Sequence, residues 1–381
     1  MLMRRMRRRV LFDICHPAEV HHFTPVYRQL VARGWQGLFA AKSKDVTEAL
    51  LRSYDVPYTV FATSQRSLGR KVWQAPLELL RFFRLVRRFR PSLLVSTLSL
   101  HSSWIAAMLG VPHIVFADTE HRRLLDALTV PLVTWMVTPN AYHRSWGKRH
   151  IRYAGNHELA YLHPKRFRPN PSIRQTLGLT ASESYVVLRI VAWQAFHDVG
   201  QHGLAPDQLN ALVRALESTH RVFITSEGGI PDALQAYRLP TPPEALHHVL
   251  YDADAYIGEG ATTASEAVCL GTPAILVNSL RVGYCDEESR AGLLRQYESL
   301  TPEELPEVLR FIEGKQSLAR HQEFIRSHID VAAFMTWLIS DYPASVKTIR
   351  DNPQWQERFE TRAETGTGSP KTGTDKSQFH F

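Results

Sequence analysis

The 381-residue sequence has only three cysteines, Cys15, Cys269 and Cys285, widely spaced and without a Cys-x-x-Cys pair. That excludes a disulfide framework and a thiolate zinc site, and it suits a reducing compartment. No uninterrupted apolar run approaches the ~20 residues a membrane span needs. The N-terminal stretch MLMRRMRRRV is basic, but the apolar run after it stops at Asp13, so the features of a secretory signal are missing. The expected location is therefore the cytoplasm. The turn after the first strand, Cys15-His16-Pro17-Ala18, lacks Gly-x-Gly-x-x-Gly, which argues against a tightly held dinucleotide there. No module signature for DNA or RNA is present, so nucleic acid is not an expected partner.

What is present is a soluble globular composition, 44% hydrophobic and 22% charged, with enough chain for two domains. The net charge of +8 is uneven: residues 1–100 hold 18 basic and 6 acidic side chains, a net of +12, which leaves −4 for the rest. Anionic partners are expected to meet the N-terminal half.

Strands and helices alternate at short spacing. Strands are expected over 9–14, 36–41, 57–61, 93–96, 113–117 and 132–138, with helices over 19–32, 44–53, 72–89, 100–109 and 120–129. Residues 156–171 are rich in proline and charge and read as a linker. A second alternation follows: strands 185–191, 221–225, 255–257 and 274–277, with helices 206–219, 244–251, 263–271, 302–313, 315–327 and 331–339. The reading is α/β, two Rossmann-like doubly wound parallel sheets facing a cleft. The boundaries are 1–160 for an N-terminal acceptor-side domain, 161–345 for a nucleotide-sugar-binding domain and 346–381 for an extension, disordered from about 361.

Ala255–Asn278 reads AYIGEGATTASEAVCLGTPAILVN: strand, small-residue turn, helix, strand. Small residues let a phosphate approach the backbone, and a helix N-terminus favours negative charge. Gly260, Ala261, Thr262 and Thr263 form the candidate diphosphate cradle, and Glu266, one turn into the helix, is placed to accept from a ribose. A plain βα turn with a solvated glutamate would read the same way locally. Other polar groups gather at strand ends. His16, His21 and His22 follow the first strand, and a neutral histidine there suits a general base. Asp118 and Glu120 follow the strand at 113–117. Arg189 lies on a strand and needs an anionic partner; His197, Asp198 and Glu227 sit in the loops after strands 185–191 and 221–225. Asp252-Ala253-Asp254 is a D-x-D, read as a capping and turn element rather than a metal site. Helix 72–90 interleaves arginines with apolar residues, which suits either a core-facing surface helix or peripheral contact with the inner face of an anionic membrane.

The segments DICHPAEVHHFTP, ADTEH, YAGNHELAYLHP, LRIVAWQAFHDVG and GEGATTASEAVCLGTP together resemble those of the family known as domain of unknown function 354, over roughly residues 8–340. That family is related to the B-type, two-Rossmann-domain glycosyltransferases. The C-terminal segment is also similar to the N-acetylglucosaminyltransferase of peptidoglycan synthesis, where a small-residue loop holds the UDP pyrophosphate and a glutamate holds the ribose. The matching positions are Gly260, Ala261, Thr262, Thr263 and Glu266. The N-terminal turn of that enzyme is Gly-rich and includes a histidine; here the glycines are absent and His21 is the nearest counterpart.

The resemblance implies an inverting, metal-independent hexosyltransferase that needs no cofactor and takes a nucleotide-diphosphate sugar, UDP-linked in the relatives, to an acceptor it does not name; the basic N-terminal half suits a membrane-associated or phosphorylated one. His21 would be the base. Thr262, Thr263 and the helix dipole would stabilise the leaving diphosphate, with Arg189 and His197 adding charge. Two alternatives stand beside it: a UDP-N-acetylglucosamine 2-epimerase-like enzyme using Asp118, Glu120 and Asp198, and a non-catalytic nucleotide-sugar-binding protein.

Overall fold

The computed structural model describes residues 8–43, 45–63, 68–191, 204–226, 228–314 and 318–360. Twelve strands run through them: β1 Arg9–Ile14, β2 Gln36–Ser43, β3 Tyr58–Thr63, β4 Leu93–Ser96, β5 His113–Phe116, β6 Trp135–Pro139, β7 His150–Tyr153, β8 Tyr185–Ile190, β9 Arg221–Ser226, β10 Ala255–Gly258, β11 Ala274–Val277 and β12 Leu294–Tyr297. The helices of the first half are α1 Pro17–Ala32, α2 Asp45–Ser53, α3 Leu68–Phe89, α4 Leu100–Leu109, α5 Arg123–Thr129 and α6 Leu159–Leu162. Those that follow are α7 Ile173–Thr176, α8 Pro206–Glu217, α9 Leu246–Asp252, α10 Ala261–Cys269, α11 Gly283–Arg290, α12 Leu305–Glu313, α13 Leu318–Arg326, α14 Val331–Ser340 and α15 Ala344–Asp351.

The chain forms two units. The first joins residues up to Tyr161 with Ile329–Glu360; the second is Leu162–His328. Unit 1 holds a seven-stranded sheet in the order β3-β2-β1-β4-β5-β6-β7, and unit 2 a five-stranded sheet in the order β12-β11-β10-β8-β9. The pairings are parallel in both. Continuous apolar runs such as Leu93–Val95 and Ala274–Val277 form strands buried on both faces. Each order reverses once, between β1 and β4 and between β8 and β10, and α/β sheets of this type bind ligands beyond the strand ends at such a switch point.

The expected two-domain α/β architecture is therefore the observed one, with one reassignment. Residues 329–345, assigned from the sequence to the second domain, belong to unit 1, and so do α15 and the helical turn after it. α14 is buried through most of its length and packs on α1. Phe334 lies 5.6 Å from the Tyr153 ring, and the Ile329 amide donates to the Ala154 carbonyl at 2.8 Å. A helix apolar nearly all round announces burial but not its partner.

Six elements depart from the expectation: β7, β12, α7, α11 and α15, and α6, which lies inside the stretch 156–171 read as a linker. β7 (HIRY) and β12 (LRQY) are edge strands, where one face stays polar and the apolar signal is halved. Asp252 and Asp254 hold neighbouring elements instead of capping: Asp252 pairs with Arg174 at 2.7 Å, and Asp254 accepts from the Tyr185 amide at 2.9 Å. The residues expected to be disordered from about 361 lie outside the described residues.

One core residue gives unit 1 a pH dependence. His113 on β5 is fully buried, with Nε2 2.8 Å from Ser96 Oγ. Burial pushes its pKa from the ordinary 6.5 down to about 3. Its folded pKa lies below its unfolded one, so its contribution is complete above pH 6.5 and is lost as pH falls. Acidification from pH 7 to 5 is expected to cost about 2 kcal/mol at this residue alone. Urea unfolding at the two pH values checks it, with His113→Gln giving a flatter response; equal slopes in parent and variant would refute the assignment.

Candidate functional site

In unit 2 the switch point is built by the ends of β8 and β10. β10 runs out at Gly258, and a Cβ there would lie 2.4 Å from Tyr256 Oη and 2.7 Å from the Arg189 carbonyl, so the position admits only glycine without rearrangement. Gly260 then caps α10 with no side-chain hydrogen bond. The first-turn amides of α10, beginning with Ala261, Thr262 and Thr263, have no acceptor within the helix, which is the arrangement that favours an anion. The Arg189 side chain stands against this turn: a Cβ on Gly260 would be 3.8 Å from its Nε.

The turn is held from behind by Glu259, only 2% exposed. Its carboxylate accepts from two backbone amides, Val191 through Oε2 and Leu204 through Oε1, each at 2.7 Å. Its own amide donates to the Arg189 carbonyl at 3.2 Å, and its carbonyl accepts from Asn278 Nδ2 at 2.8 Å. One side chain thus ties the end of β8, the approach to α8 and the turn before α10 into one piece. Glu266 is buried inside α10, where Oε1 meets His247 Nε2 at 2.9 Å. Ser265 beside it donates to the buried Glu288 at 2.5 Å. Gly260, Ala261, Thr262, Thr263, Glu266 and Arg189 therefore come together in one unit, whereas His197, Asp198 and Glu227 lie outside the described residues.

In unit 1 the ends of β1 and β4 carry a dense polar cluster. His16 caps α1, with Nδ1 accepting from the Ala18 amide at 3.2 Å. Glu19 completes a capping box: it accepts from the amides of Cys15 at 2.6 Å and His16 at 3.2 Å, and from Thr97 Oγ1. Burial pushes the Glu19 carboxyl up to about 7 against the pull of those donors. Asp13 accepts from the hydroxyls of Ser99 and Ser102. Asp13, Cys15 and His101 place ligand atoms within 4.8 Å of one another. They suit a resident cation poorly: both Asp13 oxygens already accept hydrogen bonds, and burial, reinforced by Asp13 and Glu19, holds the Cys15 thiol protonated.

His21 faces α2 and the end of the first segment, with Nδ1 2.6 Å from Tyr54 Oη and its ring stacked on Tyr161 at 5.5 Å. His22 is buried, its ring 4.2 Å from that of His157, and burial followed by the neighbouring His157 holds it neutral. Asp118 Oδ2 meets His157 Nδ1 at 3.0 Å. Burial alone would raise the Asp118 carboxyl, but His157 and Arg122 overcome that and hold it well below the usual range. Glu120 turns elsewhere, accepting from the His143 amide at 3.2 Å, so the two carboxylates serve different partners. The apolar side of α3 (Phe82, Val86) is buried against β1, β3 and β4, so that stripe is core.

The sequence did not single out Glu259, His247 or His157. Glu259 had a signal, an acidic residue between two glycines at a strand end. His157 lies within the family-like segment YAGNHELAYLHP, but nothing there or near His247 points to the partners Asp118 and Glu266, which are distant in the chain.

Comparison with known proteins agrees with this fold. The chain is 21% identical over 276 residues to the uncharacterized protein MJ0665 of Methanocaldococcus jannaschii, covering 70% of this chain and 80% of that protein. It is similar to the solved UDP-GlcNAc 2-epimerase of the same organism, in complex with UDP-GlcNAc and UDP, with a TM-score of 0.58 and 11% identity over 82% of this chain and 94% of that one. It is similar, too, to the glycotransferase of kitacinnamycin, with a TM-score of 0.56 and 12% identity over 85% and 95%. These likenesses establish the B-type, two-Rossmann-unit fold. Residues 8–284 match the model described as "Protein of unknown function (DUF354)", and the chain belongs to that family.

Proposed function

We propose that unit 2 binds a nucleotide-diphosphate sugar and that the protein is a glycosyltransferase acting on it. The observation that supports this reading best is the turn Gly258–Ala261 at the β8/β10 switch point: an amide-rich helix start without a side-chain cap, flanked by Arg189 and fixed by Glu259. The diphosphate would lie on the amides of Ala261–Thr263, its charge met by the helix dipole and Arg189. Glu266, oriented by His247, would accept from the ribose hydroxyls. The same amides would carry the charge that grows on the diphosphate as the glycosidic bond breaks. In unit 1, His21 would take the proton from the attacking hydroxyl, with Tyr54 fixing its ring. The structural likeness to UDP-GlcNAc 2-epimerases solved with UDP-GlcNAc supports a UDP-linked substrate.

A thermal-shift series of nucleotide sugars tests the reading, since a ligand that binds only the folded state raises apparent stability by mass action. A UDP-sugar is expected to stabilise, and Glu266→Ala to weaken its binding by about 1–3 kcal/mol, that is about 5–150-fold in Kd. No stabilisation by any nucleotide sugar would overturn the proposal, and an unchanged Kd in the variant would remove Glu266 from the ribose. The epimerase reading is favoured by the Asp118–His157 pair, an ionised, half-buried carboxylate orienting a buried imidazole. Donor incubated without acceptor separates the two: an epimerised sugar supports the epimerase, an unchanged one the transferase. Binding without turnover against any acceptor would make the protein a nucleotide-sugar-binding module.

A further inference from the structure

α4 and α5 turn an apolar ridge to the outside of unit 1. Trp104 and Met108 stand one turn apart on α4 and are 42% and 66% exposed. Leu124 and Leu128 stand one turn apart on α5 at 69% and 45%, and Leu132, four residues on, is 39% exposed. The Trp104 indole donates to the Leu128 carbonyl at 3.1 Å, which joins the two rows into one patch. Scattered exposed leucines need no explanation, but five large apolar side chains in register on adjoining helices mark an interaction surface.

The next face of α5 is of opposite character. Arg123 and Ala127 border an open depression of about 410 Å³ whose further wall includes Arg144, Trp146 and Arg149. A second depression of about 420 Å³ shares Val133 and Arg149 with it and adds Lys148 and Arg350. Five cations thus line the two hollows against one carboxylate, Asp126, which is already bound to Arg144. Arg144 also lies over the Trp146 ring at 4.2 Å, while Arg149 spends one nitrogen on the carbonyls of Pro131 and Val133. Among the described residues no acidic side chain pairs with Arg123, Lys148, Arg149 or Arg350.

An apolar ridge beside a cationic hollow fits an anionic amphiphile better than either feature fits anything alone. A soluble anion has no use for exposed leucines. A second copy of the chain would bring the same excess of positive charge to the same place. We propose that the α4–α5 face docks the protein on an anionic phospholipid surface, with Leu124, Leu128 and Met108 entering the acyl boundary, Trp104 at the headgroup level, and lipid phosphates on Arg123 and Arg149. This places the membrane contact on α5 and its cationic hollow rather than on α3, which buries Phe82 and Val86 in the core and exposes Leu77 and Leu80 with no such hollow of cations shown beside them. It stands independently of the nucleotide-sugar reading, which concerns unit 2.

The test is co-sedimentation of the full-length chain with vesicles of phosphatidylcholine alone and of phosphatidylcholine with phosphatidylglycerol. Binding is expected only to the second, weakening as salt rises. Leu124→Gln/Leu128→Gln and, separately, Arg123→Gln/Arg149→Gln should each weaken it about tenfold or more, while Arg84→Gln/Arg88→Gln on α3 should leave most of it. The leucines are exposed, so the variants should keep the parent's unfolding midpoint; if they do not, the lipid selectivity and salt response of the parent still decide. The proposal fails if the parent ignores anionic vesicles, if the α5 variants bind as the parent does, or if only the α3 variant loses binding. It also fails if sedimentation velocity shows self-association, or glycerol phosphate stabilises the chain, without vesicle binding.

Discussion

Replacing Glu259 with alanine is expected to destabilise unit 2 by about 2–4 kcal/mol, because it removes the charged acceptor of two half-buried backbone donors at once, and bonds to charged groups contribute about 1.5–3 kcal/mol each before water replaces part of them. Val191 and Leu204 would lose the acceptors they now reach at 2.7 Å. Glu259→Gln keeps one carbonyl oxygen for one amide and presents an NH₂ to the other, so it should fall between parent and alanine. Hydrogen exchange reads the effect residue by residue: the Val191 and Leu204 amides should exchange faster by a factor of ten or more while those of β1 and β4 stay protected. Unchanged exchange at both amides would mean that the carboxylate is not what holds them. Nucleotide-sugar affinity should fall along with stability, since the same side chain fixes the turn that opens α10. A pure stability loss, with affinity restored at low temperature, would instead separate the clamp from the binding surface.

His21→Ala is expected to lower transferase turnover by about 10²–10⁴-fold, the usual worth of a positioned general base, while leaving donor affinity in unit 2 unchanged. The two readouts belong to different units, which is what makes the experiment informative. Tyr54→Phe should give a smaller loss, because it frees the imidazole without removing it; its hydroxyl sits 2.6 Å from Nδ1. The sign of the pH profile follows from the chemistry: a base must be unprotonated, so kcat/KM should fall on the acidic side in the parent and lose that limb in the variant. Full activity in His21→Ala would end its role as base, and His157, oriented by Asp118, would be the next residue to replace.

The alternation of apolar runs with amphipathic helices was enough to read both sheets, because strands such as Val10–Ile14 and Ala274–Val277 are buried on both faces and carry no competing polar pattern. The edges were not readable in the same way: β7 alternates polar and apolar residues over only four positions and β12 (LRQY) sets two polar residues in its middle, which a loop can do equally well. The turn at Gly258–Thr263 was legible because anion-friendly backbone requires small residues and leaves them in the sequence. Its supports were less so. Glu266 meets His247 across 19 residues and Glu259 reaches Leu204 across 55, and a one-dimensional pattern has no way to state such pairs. Glu266 also proves to be a buried, partnered carboxylate rather than a solvated one, which removes the plain surface-glutamate reading.

The return of the chain to unit 1 bears on how the protein is made. A ribosome releases the strands of the seven-stranded sheet first, and a contiguous domain would then close behind it. Here the outer layer of α1 waits for Phe334 and Met335, which meet Tyr153 and His22 only after the whole of Leu162–His328 has been synthesised. Throughout that interval Val331's place against Gly155 is empty and an apolar face of unit 1 stays wet. Unit 2 can finish on its own schedule; unit 1 cannot, and the last helices of the chain are the step that completes the first domain begun.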